Sequence, residues 1–213
     1  MALFLFIRHG ESEANEKGFF AGQLDVRLSE NGLVQAKKTA EYIKNTYKPD
    51  LVFASDLQRA YITGKCVADI LGLEVKKSEA FREINAGDWQ GKSFDFLQEN
   101  FKEEYGIWLS DIGNARPTNG EAVCELKDRF LNALLEIAEK NPDKTIVVAT
   151  HATPIRILET LTKHKSLDKM KDVPWVSNSS VSGFSYNNGE WKCEMISEDS
   201  HLGDLKTVFP KNV

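Results

Sequence analysis

Cysteine is scarce in this chain of 213 residues, and the three present, Cys66, Cys124 and Cys193, lie far apart. Their number is odd and no C-x-x-C spacing occurs, so neither a disulfide framework nor a cysteine zinc site is expected. They read as small buried residues. An excess of positive charge is also missing, since 27 Lys and Arg against 32 Asp and Glu leave a formal charge of −5. A general nucleic-acid binder needs a basic stripe, so that class is set aside. An anionic small molecule stays open, because a few arginines in a cleft focus a local field. No apolar run approaches a membrane span. The apolar N-terminal stretch lacks the basic region and length of a signal peptide, and Arg8 interrupts it. A soluble, cytoplasmic protein with no membrane or nucleic-acid partner is the expectation. Internal repeats and low-complexity tracts are absent, and 41% hydrophobic residues provide for a large core.

What is present is a regular alternation. Leu3-Phe4-Leu5-Phe6-Ile7 is a short apolar run of the kind buried on both sheet faces, and it ends abruptly in Arg8-His9-Gly10. Ser29 caps a helix whose inward spacing is Leu33, Ala36, Ala40, Ile43 and Tyr47. Leu51–Ala54 is a second strand, followed by a helix that Gly72 stops, and Leu73-Glu74-Val75 is a third. A long helix from Glu121 to Lys140 leads to the strand Thr145–Ala149, which ends at His151 before a helix opened by Thr153-Pro154. Two late strands joined by Asn188-Gly189 form a hairpin. The class is α/β: a three-layer sandwich, with a mainly parallel sheet, helices on both faces and a small helical cap insertion. One domain spans 1–213, with the cap at 88–118. Most cap aromatics (Phe94, Phe96, Phe101, Tyr105, Trp108) are expected to pack the cap, and one or two at most to face a ligand.

Polar residues recur at the ends of buried elements: Arg8-His9, Arg59 one turn into a helix, Glu83 and His151. In open α/β sheets ligands bind beyond the carboxyl ends of strands. Taken singly, each has a plainer role. Arg59 could pair with Asp56, Glu83 with Arg82, and His151 could be a satisfied core histidine.

As a set they carry a resemblance. Arg8-His9-Gly10-Glu11-Ser12 with Asn15, and the segment from Gly22-Gln23 to Asn31-Gly32, are similar to motifs of the histidine phosphatase superfamily, the phosphoglycerate mutase-like proteins. Ala54-Ser55-Asp56-Leu57-Gln58-Arg59-Ala60 resembles the segment that delivers a second arginine, and Phe81-Arg82-Glu83-Ile84 the one that carries the acid. The likeness resumes at Asn119-Gly120-Glu121, Val147–His151 and Asp199–Leu202, so it spans nearly the whole chain in order.

The resemblance implies a metal-independent phosphomonoesterase for a small phosphorylated metabolite. His9 would attack phosphorus as neutral imidazole and become a phosphohistidine. Arg8 and Arg59 would clamp the phosphate oxygens, and His151 would donate from the opposite side, as a cation where a dianion raises its pKa. Glu83 would protonate the leaving oxygen and then deprotonate water. Asn15, Gly22, Gln23 and Ala152 are candidate substrate contacts, while His201 reads first as a structural histidine, with the site's rim as the alternative. No cofactor and no metal ligand is implied, and a homodimer is an open alternative for assembly. His164, between Lys163 and Lys165, belongs to a solvated helix end.

The chain also departs from the pattern. Ala152-Thr153 stands where many relatives have two glycines, Ala21 where a small hydroxyl residue is common, and Arg27 where proline is frequent. A mutase using the same phosphohistidine is the second reading. The cap's Lys92, Lys102 and Arg116 are interspersed with Glu99, Glu103 and Glu104, a poor clamp for a bisphosphate. A non-catalytic phosphate-binding module is a third. A zinc hydrolase is rejected, because two arginines aimed at one pocket would repel the cation and no His-x-x-x-His spacing occurs. Compact length loosely resembles the family's small phosphatases, including those acting on α-ribazole phosphate.

Overall fold

The computed structural model describes residues 1–207. Strand β1 (Ala2–Arg8) is buried along most of its length because its side chains alternate between two apolar layers. Phe4 and Phe6 point into one cluster with Phe130, Leu134 and Ile155, while Leu5 and Ile7 join another with Ala40, Ile43 and Val67. The first cluster is closed by helices α6 (Val123–Lys140) and α7 (Ala152–His164). The second is closed by α2 (Glu30–Thr46) and α3 (Gln58–Leu71), and a short helix α1 (Glu13–Lys17) lies between β1 and α2. This is the three-layer arrangement expected from a strand with no polar face.

The sheet has six strands, adding β2 (Leu51–Ala54), β3 (Val75–Lys77), β4 (Thr145–Thr150), β5 (Val181–Asn187) and β6 (Glu190–Glu198), in the order β3-β2-β4-β1-β5-β6. The four strands β1 to β4 run parallel, whereas β5 is antiparallel to β1 and carries β6 as a hairpin. Asn188 and Gly189 both have positive φ, 50° and 85°, as the tight turn requires. The pairing of Arg8 with Thr150 sets the ends of β1 and β4 side by side. His9 and His151, each one residue further on, therefore leave the sheet together.

Several sequence expectations need adjustment. The third strand begins at Val75 rather than Leu73, because Gly72 caps α3 in the left-handed region and the chain must first turn back. Helix α6 starts at Val123, since Glu121 is held outside it by Arg129 at 2.6 Å. On α2 the inward face is Gln35, Ala36, Thr39, Ala40 and Ile43, and Leu33 faces out. The cysteines are free but not buried: Cys124 is exposed on the outer side of α6, and Cys66 and Cys193 are half-buried. The segment expected as a cap folds into short helices α4 (Phe94–Asn100) and α5 (Lys102–Ser110), packed through Leu97, Tyr105 and Trp108 onto Trp89 and Leu126. Among the described residues no helix is long and apolar enough to cross a membrane.

Candidate active site

A cleft of about 250 Å³ opens beyond the carboxyl ends of β1 and β4, lined at its base by Arg8, His9, Arg59 and Glu83. The loop that delivers His9 is fixed by close backbone packing. A Cβ on Gly10 would lie 2.4 Å from the carbonyl oxygen of Gly32, so both glycines are required for the loop to meet the start of α2. Gly10 N–H donates to Thr63 Oγ1 at 3.1 Å, and Asn178 Nδ2 donates to the His9 carbonyl at 2.9 Å.

His9 Nδ1 lies 2.7 Å from the Gly10 carbonyl oxygen. A carbonyl only accepts, so Nδ1 carries the proton and Nε2 keeps its lone pair. Burial, and after it the charges of Arg59 and Arg8, hold the His9 pKa well below the ordinary imidazole value. The ring is therefore neutral and nucleophilic at physiological pH.

Each arginine is anchored by main-chain oxygens. Arg8 Nη1 donates to Val176 at 2.6 Å, and Arg59 donates to Leu24 and Gly22 at 2.8 and 2.6 Å. Arg59 is 1% exposed and its Nε, though buried, has no partner among the described residues. Burial lowers both guanidinium pKa values to about 10, which leaves both cationic at neutral pH. The surface pair of Arg59 with Asp56 does not form. Asp56 is taken by Arg82, which also pairs with Glu79, so Glu83 is likewise left without that local partner.

His151 is fully buried, with its ring centre 5.2 Å from that of His9. Its Nε2 lies 3.0 Å from Ser55 Oγ, at the end of β2. That hydroxyl accepts from Leu57 N–H and has no other acceptor for its own proton among the described hydrogen bonds, so it donates to Nε2. The His151 proton then sits on Nδ1, which is buried and has no partner among the described residues. In the ligand-free protein burial and the nearby arginines keep this ring neutral, not cationic. Glu83 accepts from Ile84 N–H at 2.8 Å through Oε1 and from Thr153 N–H at 3.3 Å through Oε2. Thr153, at the start of α7, thus ties the acid to the helix that follows His151.

The structure brings Arg8, His9, Arg59, Glu83, Asn15, Gly22 and Ala152 to one cleft; His151 lies beside His9 but is not among the residues that line it. The Asn15 oxygen is occupied by Ser12 and Asn178, so its amide N–H groups are what it can offer a ligand. Gln23 does not line the cleft. Its side chain donates to the Glu83 carbonyl at 3.1 Å, beside a shallower pocket with Arg82 and Arg129. His201 is also outside the lining; it stacks on Tyr42 and bonds Thr39 at 2.9 Å. Lys92, Lys102 and Arg116 are not at the cleft. Sequence reasoning missed Ser55, although it follows a buried strand as His9 and His151 do. It also missed Phe19, Phe20 and Trp175, which line the cleft together with Phe94 and Trp108 of the cap. No group of three or more His, Cys, Asp or Glu placed to hold a metal occurs among the described residues.

A family model for the histidine phosphatase superfamily (branch 1) matches residues 4–199. The chain belongs to that superfamily. Among histidine phosphatases it is 32% identical to phosphoglycerate mutase-like protein 4 of Arabidopsis thaliana, over 98% of this chain and 91% of that one. It is 31% identical to phosphoserine phosphatase 1 of Hydrogenobacter thermophilus, over 74% of each. A solved mycobacterial glucosyl-3-phosphoglycerate phosphatase in complex with VO3 superposes with a TM-score of 0.85 at 26% identity, covering 92% of this chain and 98% of that one. The mixed sheet and its flanking helices are the histidine phosphatase fold.

Proposed function

We propose that this chain hydrolyses phosphate monoesters of small metabolites through a phosphohistidine on His9 Nε2, without a metal ion. The observation that carries the reading is the Nδ1 bond of His9 to Gly10, which leaves Nε2 as lone-pair donor beside two buried guanidinium groups. In the first step Nε2 attacks phosphorus, the P–O bond to the alcohol breaks, and Glu83 as the acid gives its proton to the leaving oxygen. Arg8 and Arg59 balance charge on the transferring phosphoryl oxygens, where preorganised donors contribute most. His151 Nδ1–H and the Arg59 Nε–H, both unpartnered among the described residues, supply further donors to the same group. In the second step the Glu83 carboxylate takes a proton from water, the water oxygen attacks phosphorus, and the P–N bond breaks. Inorganic phosphate leaves and His9 is restored.

The relatives named phosphatases support a phosphomonoesterase of the histidine type. The same phosphohistidine would serve a mutase, and one relative is named phosphoglycerate mutase. A bisphosphate, however, needs a second cationic clamp, and among the described residues Arg8 and Arg59 are the cations that line this cleft. Hydrolysis is the reading that this donor set supports. The test is hydrolysis of 4-nitrophenyl phosphate in the presence of a chelator, which should proceed undiminished. In His9→Ala the rate should fall by about 10⁴-fold or more, as for a lost nucleophile, together with any acid-labile phosphorylation of the protein. Turnover that survives in this variant would refute the assignment of His9.

A further inference from the structure

The base of the cleft accounts for a phosphoryl group and no more. On the same volume measure a water needs roughly 10–15 Å³, so the cleft of about 250 Å³ holds a sizeable organic group as well. The walls above the base are aromatic. Phe20 sits at their centre, edge-on to Trp108 at 5.3 Å and to Phe94 at 6.3 Å. Trp108 in turn lies 6.3 Å from Trp175. Trp108 is nearly buried, whereas Phe19, Phe20, Phe94 and Trp175 keep part of their rings open.

This wall is held in place. The buried Arg156 guanidinium stacks 3.9 Å from the centre of the Trp175 ring and is itself fixed by the carbonyls of Val173 and Met170. Phe20 is clamped through its main chain, donating to the Lys92 carbonyl and accepting from Gly91 N–H. Beyond Arg8, His9, Arg59 and Glu83, the lining holds no charged side chain among the described residues; Ser12, Asn15, Thr153 and Thr207 are its neutral polar groups. Against the aromatic walls an alcohol bearing an ammonium or carboxylate would lose water and meet no charged partner among these residues beyond that base. A ring would gain both apolar burial and edge-to-face contacts.

We propose that the leaving group is an uncharged, ring-bearing apolar alcohol, seated against Phe19, Phe20, Phe94, Trp108 and Trp175. The inference rests on the phosphomonoesterase reading and narrows its substrate class. It separates this chain from the phosphoserine that several relatives' names carry.

The test compares kcat/KM of the full chain on benzyl phosphate, O-phosphoserine, 3-phosphoglycerate and methyl phosphate. All are alkyl esters, so leaving-group basicity differs little. Benzyl phosphate should be preferred to phosphoserine and 3-phosphoglycerate by about tenfold or more, the value of one well-buried ring. In Phe94→Ala the ratio of benzyl to methyl phosphate should drop by about tenfold, mainly through KM for the benzyl ester. Phe19→Ala gives the same readout if Phe94→Ala fails to fold. Equal or better use of phosphoserine or 3-phosphoglycerate would overturn the inference while leaving the phosphatase reading intact. So would a benzyl-to-methyl ratio unmoved by the folded variants. Failure to release phosphate from any of the four esters, or from 4-nitrophenyl phosphate, would overturn the phosphatase reading itself.

Discussion

The two ends of the cleft are built on opposite principles. At the phosphate end, charged and titratable side chains are buried, and each is tied to a main-chain oxygen or a neighbouring polar group. A buried guanidinium is costly without such ties, and the lowering of both arginines to about 10 registers that cost. At the other end, aromatic rings meet edge to face and need no polar partner to be stable there. A change at the first end leaves an uncompensated charge or an orphaned donor. A change at the second only reshapes a surface. On the proposed function, reaction type belongs to the end that cannot vary, and choice of alcohol to the end that can.

Substitutions can test that division. Arg59→Lys keeps the charge but loses the planar fork held by Gly22 and Leu24. Loss of such a preorganised donor should lower kcat/KM by about 10²–10³-fold. The loss should be equal for benzyl, methyl and 4-nitrophenyl phosphates, because the phosphoryl group is common to all. A loss that depends on the alcohol would blur the two ends into one. Glu83 stands between them, and its effect should be graded. In Glu83→Gln the rates on alkyl phosphates should drop by about 10²-fold or more, and those on 4-nitrophenyl phosphate by much less, because nitrophenolate leaves without a proton. Equal loss on good and poor leaving groups would remove Glu83 from the role of acid.

The two ends also differ in how far the sequence discloses them. Arg8-His9 and His151 are visible because an apolar run stops at each, and the fold sets the ends of adjacent parallel strands together. Glu83 and Arg59 also lie near the ends of buried elements, but each has a candidate surface partner nearby in sequence, and only their order within the resemblance marks them. Ser55 carries the strand-end signal but also opens a helical segment, and the helical reading concealed it. Phe19, Phe20 and Trp175 have no local signal at all. An aromatic residue in a loop has the same neighbours in sequence whether it fills a core or lines a cleft. Periodicity reports which face is apolar, not which part of that face stays open. Cys124 shows the same limit, since its position on the outer side of α6 outweighs the usual burial of cysteine. Among the cap aromatics, Phe94 and Trp108 line the cleft and Tyr105 lies in the packing of the cap.

The smallest expected effect distinguishes the ends without any substrate. His9 and His151 are both held below the ordinary imidazole value of 6.5 by burial first and by the arginines second. The unfolded chain therefore takes up their protons as pH falls through about 6.5 while the folded protein does not. Stability is unaffected above that pH and declines below it, by up to about 1.4 kcal/mol per pH unit for each histidine. His201, lowered by its own burial, adds to the slope. Denaturant unfolding of the ligand-free protein between pH 7.5 and pH 5 should show this decline. His9→Ala should make it shallower by one histidine's share, whereas Phe94→Ala should shift the whole curve and leave its slope unchanged. A slope that His9→Ala does not alter would mean that this ring takes up its proton at the same pH in the folded protein as in the unfolded chain, so that burial and the arginines do not hold it neutral below pH 6.5.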